Sequence, residues 1–167
     1  RHIRVAGNPT AVLGGQGAVC ALTPNTGTLH EIGLRDLALR RRTQVARSAV
    51  SVRLAPDGPA VWVLCREPRQ LVRVGLEQFR IQARIALPIE PVDFDVAPSG
   101  ECAATSFGNS GGVGFTDLVA RRSHPPVSLG KTIGWAPPEC SASGLPCWLL
   151  RAACRRTGNA PSRWSCL

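Results

Sequence analysis

Val50-Ser51-Val52-Arg53-Leu54-Ala55-Pro56-Asp57-Gly58 and, forty-two residues on, Val92-Asp93-Phe94-Asp95-Val96-Ala97-Pro98-Ser99-Gly100 are two copies of one pattern. In each copy apolar residues alternate with polar ones, the period of a pleated strand that sends successive side chains to opposite faces. A Pro-x-Gly follows each time, Pro presetting φ and Gly tolerating positive φ, which is the chemistry of a tight turn. Strand and turn therefore recur together.

Outward from this pair the same offset holds without insertion or deletion through most of the chain. Ala18-Val19-Cys20-Ala21-Leu22 aligns with Ala60-Val61-Trp62-Val63-Leu64 and with Cys102-Ala103-Ala104-Thr105-Ser106. Leu29-His30-Glu31-Ile32-Gly33-Leu34 aligns with Leu71-Val72-Arg73-Val74-Gly75-Leu76 and Val113-Gly114-Phe115-Thr116-Asp117-Leu118. Each repeat holds four short apolar stretches bounded by turn residues, exemplified by 92–96, 102–106, 113–118 and, one copy earlier, 81–87. A fixed period of this size signals a propeller or solenoid, and four short strands per period make an antiparallel meander, one propeller blade. The expected fold is all-β, a partial β-propeller of about three blades over residues 1–130, with no helix longer than two turns between residues 8 and 118.

The Asp-Phe-Asp-Val-Ala-Pro-Ser-Gly segment, the Val-Trp-Val-Leu strand, the Val-x-x-x-Asp-Leu strand and the following Ala-x-Ile-Ala-Leu-Pro together resemble the bacterial YVTN-type propeller repeats, relatives of the WD-repeat propellers. The resemblance covers Ala6 to Gly130 and rests on pattern and spacing. It places Asn8-Pro9-Thr10-Ala11-Val12 as the innermost strand of an N-terminal part-blade. It implies a periplasmic or exported binding and scaffolding module, with some lactonases and quinone-linked dehydrogenase subunits among structural relatives.

A closed ring of four to eight blades needs roughly 170 to 340 residues at this period, so three blades leave the rest of the ring missing and an apolar flank open to a partner. The chain starts at Arg1 and holds no Met, which leads us to expect that its true start, and any signal peptide, lies upstream. The net charge is +9. Residues 1–118 carry 13 Arg against 10 acidic residues, whereas residues 119–167 carry seven basic residues against Glu139 alone. Basicity concentrated in the tail argues against a nucleic-acid surface on the blades. Arg40-Arg41-Arg42, the one basic run there, reads as the solvated edge of an outer strand, where charge discourages edge-to-edge pairing.

After Val127-Ser128-Leu129-Gly130 the repeat calls for another inner strand at 135–138, but the residues are Trp135-Ala136-Pro137-Pro138. Residues 131–167 form an irregular tail with four of the seven Cys and three of the four Trp. The preferred reading is a frameshift. With 19 Arg to one Lys, the composition is that of a GC-rich gene, and shifting Leu145-Pro146-Cys147-Trp148-Leu149-Leu150 by one frame can restore an Ala-Leu-Leu-Ala-Ala strand near its repeat position. The alternatives are a disordered genuine tail or a disulfide module among Cys140, Cys147, Cys154 and Cys166, which allow three pairings. Zinc lacks both a Cys-x-x-Cys and any His after His124.

Gly108-Asn109-Ser110-Gly111-Gly112 resembles the nucleophile segment of trypsin-like proteases, yet no His here has an orienting carboxylate in a matching motif. A hairpin turn is expected. The glycines at 14, 15 and 17, and at 111, 112 and 114, lead into no helix, so they mark turns and close packing rather than a phosphate loop. Cys20, Cys65 and Cys102 read as small buried hydrophobes. No catalytic set, metal site or cofactor is expected.

Asp93 and Asp95 are the polar oddities, placed on an innermost strand beside Ser51 and Arg53 one repeat earlier. Charges there must be paired or wet. We expect an interblade contact between Arg53 and Asp95, with Arg53, Asp93 and Asp95 as weak ligand-binding candidates at the channel and 65–70 as a solvated hairpin on the same rim. The functional expectation is a non-enzymatic binding or scaffold module for an unknown protein or small ligand, with no nucleic acid and no membrane span. The alternative is a fragment of a propeller enzyme, lactonase-like or quinone-linked, which needs acidic or His groups converging from several blades.

Overall fold

The computed structural model describes residues 9, 11–14, 17–108 and 111–129, of 11–14 the backbone only. The expectations for residues 131–167, and the pairing of Cys140, Cys147, Cys154 and Cys166, lie outside the described residues.

Three antiparallel sheets follow one another along the chain. The first is β1 (Ala11–Gly14), β2 (Ala18–Thr23), β3 (Thr28–Gly33) and β4 (Leu39–Gln44), hydrogen-bonded in that order. The second is β5 (Ser48–Leu54), β6 (Ala60–Glu67), β7 (Gln70–Gly75) and β8 (Arg80–Ala86). The third is β9 (Asp93–Val96), β10 (Cys102–Phe107), β11 (Gly112–Asp117) and β12 (Arg122–Ser123), with β13 (Val127–Ser128) also paired to β11. The helical content of the described residues is one 3₁₀ turn, Pro24–Thr26. The 42-residue period is visible in the strand starts: β2, β6 and β10 open at Ala18, Ala60 and Cys102, and β3, β7 and β11 at Thr28, Gln70 and Gly112.

The turns follow from their residues. Gly100 N donates to Ala97 O at 2.8 Å, closing a turn with Pro98 at its second position and Gly100 at φ +76°. The first sheet departs from the repeat here. Leu54 pairs with Val61 and Val96 with Ala103, so Val12 should face Val19, yet Gly14 does. The inner strand therefore lies at 11–14 rather than 8–12. Gly14-Gly15 stands where the other copies have Pro-Asp and Pro-Ser, and the connection to β2 is three residues instead of the five between β5 and β6. A shorter connection slides the strand by two residues and keeps its side-chain parity.

The sheets stack face to face, and the middle one is buried on both sides. Val61, Val63, Val72 and Val74 join Leu22, Leu29, Val45 and Val52 in one core. Trp62, Leu64, Leu71 and Ile85 join Phe94, Ala103 and Leu118 in the other. Burial on both faces explains why β6 is apolar at every position from 60 to 65 rather than alternating. Each large side chain removed from water in these layers contributes roughly 1.5–3 kcal/mol. The repeat positions of Trp62, Leu64 and Leu71 are Ala104, Ser106 and Val113 in the third sheet, where Ala104 and Val113 are only half-buried and Ser106 is exposed. Close approach also needs glycine: a Cβ on Gly114 would lie 2.6 Å from the Phe107 ring.

Candidate functional site

β1, β5 and β9 are the first strands of their sheets, and β5 adjoins both β1 and β9, as successive inner strands around a common axis do. Period-two alternation buries Val52 and Phe94 in the layers between sheets and leaves Ser51, Arg53, Asp93 and Asp95 on the opposite face of their strands. Ser51 and Asp93 stand one period apart, and Ser51 Oγ donates to Asp93 Oδ1 at 3.2 Å. Arg53 Nη2 donates to the same oxygen at 3.1 Å. Its Nε lies 3.8 Å from Asp95 Oδ1, and its guanidinium sits over the Phe94 ring at 5.6 Å.

All three sequence-predicted residues are thus brought together. The expected approach of Arg53 to Asp95 is present, but the nearer partner is Asp93, whose oxygen the arginine shares with Ser51. Asp95 turns the same Oδ1 toward the Val96 N–H at 3.0 Å, which holds its carboxylate close to its own backbone. Arg53 and Asp93 are about a quarter exposed, whereas the Asp95 side chain is 58% exposed. Chemically the cluster is a fixed guanidinium flanked by two carboxylates, the outer one open to a cation or a hydrogen-bond donor.

Three features differ from, or add to, the sequence reading. Arg40 and Arg42 are exposed as an outer edge requires, and Arg41, although 38% exposed, also turns its guanidinium to protein partners. It stands opposite Glu31 in the β3–β4 register, pairs with that carboxylate through both Nε and Nη2, and donates to Leu76 O at 2.8 Å and Glu77 O at 2.6 Å of the second sheet while covering the Phe79 ring. Reach explains the added contacts: a guanidinium on a long stem crosses to the next sheet and satisfies carbonyls there. Arg73, opposite Trp62 in β7, covers the indole at 5.6 Å and binds Asp57 at 2.7 Å and Gln82 at 3.1 Å. That arginine beside Asp57 holds the carboxyl below its ordinary range. The one sequence signal for it was an arginine inside an otherwise apolar strand. The 65–70 segment is the expected hairpin, tightened to a turn at Pro68-Arg69, with Arg66 paired to Glu90 at 2.9 Å.

Cys20 and Cys65 are buried and form no disulfide, and burial pushes their thiols up to about 11 and about 12, so they are inert hydrophobes at neutral pH. Cys102 is half-buried with its thiol raised for the same reason. His30 is buried, bonded to Thr23 Oγ1 at 3.2 Å, and held below its ordinary pKa chiefly by burial. Of the glycine-rich segment 108–112, residues 109 and 110 lie outside the described residues, and Phe107 pairs with Gly112 across it. Among the described residues no group of three His, Cys, Asp or Glu is placed to hold a metal ion. No described helix is long and apolar enough to cross a membrane, which says nothing of β-barrels.

No protein-family model matches the chain, and no curated protein matches it in sequence. Solved structures match in fold. Hydrazine synthase of Kuenenia stuttgartiensis superposes with a TM-score of 0.63 at 12% identity, over 75% of this chain and 37% of that one. A structure from Bacteroides fragilis NCTC 9343 described as a 6-phosphogluconolactonase superposes with a TM-score of 0.57 at 15% identity, over 69% and 36%. The chain spans little more than a third of either. These likenesses and the three stacked meanders define the class: a partial β-propeller.

Proposed function

We propose that this chain is part of a bacterial YVTN-type propeller acting as a non-enzymatic binding or scaffold module, periplasmic or exported, that takes a protein or small ligand at the channel mouth through Arg53, Asp93 and Asp95. The observation that carries this reading is the cluster itself. Its inner carboxylate is held by Ser51 and Arg53 and its outer one is more than half exposed, so the arrangement presents a fixed negative rim rather than a base beside a nucleophile. A ligand offering a cationic or hydrogen-bond-donating group suits that rim. The half-buried Ala104 and Val113, at positions that are covered in the middle sheet, support a further blade beyond the third.

The rival reading is a fragment of a propeller enzyme, lactonase-like or quinone-linked. What favours it is that one matched structure is described as a lactonase, a likeness that speaks for fold alone. Affinity capture with the complete protein encoded at the locus separates the two. The binding reading expects a defined partner held by the wild type and lost with Asp95→Ala at unchanged melting temperature. Equal retention by Asp95→Ala, or hydrolysis of a sugar lactone that Asp95→Asn abolishes, would contradict it.

A further inference from the structure

Where β4 leads into β5 and the 67–69 turn comes close, an open cleft of about 310 Å³ is lined by Gln44, Val45, Ala46, Arg47, Pro68 and Arg84. We propose that this cleft, which lies between the first two sheets and contains none of the inner-strand cluster, binds a small oxyanion, inorganic phosphate or a phosphate monoester.

Its charge is one-sided. Two of the six lining residues are arginines and none is acidic. Arg40, Arg41, Arg53, Arg66 and Arg73 each have a carboxylate within ion-pair distance. Among the described residues no carboxylate stands within that distance of Arg47 or Arg84, which is true also of Arg35, Arg42, Arg69, Arg80, Arg121 and Arg122, but Arg47 and Arg84 line one concave space together. Like charges brought together at an interface of sheets repel unless an anion joins them.

Arg84 is also positioned rather than merely present. Arg84 Nη1 donates to Val45 O at 2.9 Å, which pins the guanidinium across the sheet boundary and leaves its remaining N–H edge for another acceptor. Arg47 is anchored at its backbone, whose N–H donates at 2.8 Å to the carbonyl of Glu67 at the end of β6.

Two guanidinium forks match the oxygens of a tetrahedral anion. The lining holds no aromatic side chain to stack a base, and two arginines address one phosphate rather than a tract of them. A free phosphate or a monoester is therefore the fitting occupant.

Calorimetric titration of the full 167-residue chain with inorganic phosphate, at ionic strength held constant with sodium chloride, tests this. The expected result is saturable phosphate binding of about millimolar affinity, absent with chloride, and weakened about tenfold or more by Arg47→Gln and by Arg84→Gln, since a charge-assisted pair is lost in each. Should Arg84→Gln fail to fold, Arg47→Gln decides alone, because among the described residues its side chain makes no hydrogen bond or ion pair. Glycerol phosphate in place of phosphate separates the two sources: tighter binding assigns the site to an ester, equal binding to the free anion. Binding unchanged in Arg47→Gln, or no saturable phosphate response beyond chloride, overturns the proposal.

Discussion

Arginine is the residue through which neighbouring blades are tied together here, and it does so by three routes. Arg41 bridges Glu31 of its own sheet to two carbonyls of the next; Arg84 reaches back to Val45 O; Arg53 joins Asp93 and Asp95. Arg41→Met keeps most of the apolar stem but strips four hydrogen bonds and leaves the largely buried Glu31 without its partner. A loss of about 1–3 kcal/mol is expected from the orphaned carboxylate, read as a lower urea midpoint. His30 supplies a pH dependence. Its pKa is lowered in the fold, so the unfolded chain binds the proton more readily, and stability present above the ordinary value near 6.5 declines as pH falls through and below it. Melting temperature measured between pH 7.5 and 5 should fall in the wild type and fall less in His30→Gln. These contacts were partly legible. Parity along 50–54 and 92–96 placed Ser51, Arg53, Asp93 and Asp95 together because strand geometry fixes side-chain direction. It did not reveal Arg41 and Arg73, whose partners depend on which sheet a long side chain leans toward.

Among the elements, β6 shows most clearly how sequence becomes structure. Its unbroken apolar run is the signature of a strand covered on both faces, and Trp62, Leu64 and Val63 are all fully or almost fully buried. Trp62→Ala should cost about 3–5 kcal/mol, and Arg73, which lies over that ring, loses its platform as well. Gly27 illustrates the opposite requirement. It holds φ +55° at the end of the 3₁₀ turn, and a Cβ there would strike the Ala46 carbonyl. Gly27→Ala should therefore destabilise by more than the roughly 1 kcal/mol of ordinary glycine effects, measured by thermal unfolding. The starts of strands two and three of each repeat were readable to within a residue because hydrophobic pattern and turn residues agree there. The inner strand of the first blade was not, since its position depends on the length of a glycine-rich connection that carries no Pro-x-Gly marker.

At the scale of the whole molecule, the 42-residue period sets an apolar layer between the first and second sheets and another between the second and third. Each interface combines an apolar layer with an arginine clamp, and the third sheet keeps the same layout with smaller, less covered residues at Ala104, Ser106 and Val113. The repeat was legible because every copy must satisfy the same neighbours; which ligand the ring takes was not, because binding needs only a few side chains and no period. The docking of successive blades in the register set by that period is the claim on which the rest stands. A double-mutant cycle on Arg53→Ala and Asp93→Ala, with stability taken from urea unfolding, tests it most directly. The two residues lie 40 positions apart and meet only if the second and third sheets pack as described. A coupling energy of about 0.5–1.5 kcal/mol is predicted, whereas effects that add to within roughly 0.3 kcal/mol would contradict the packing of the blades.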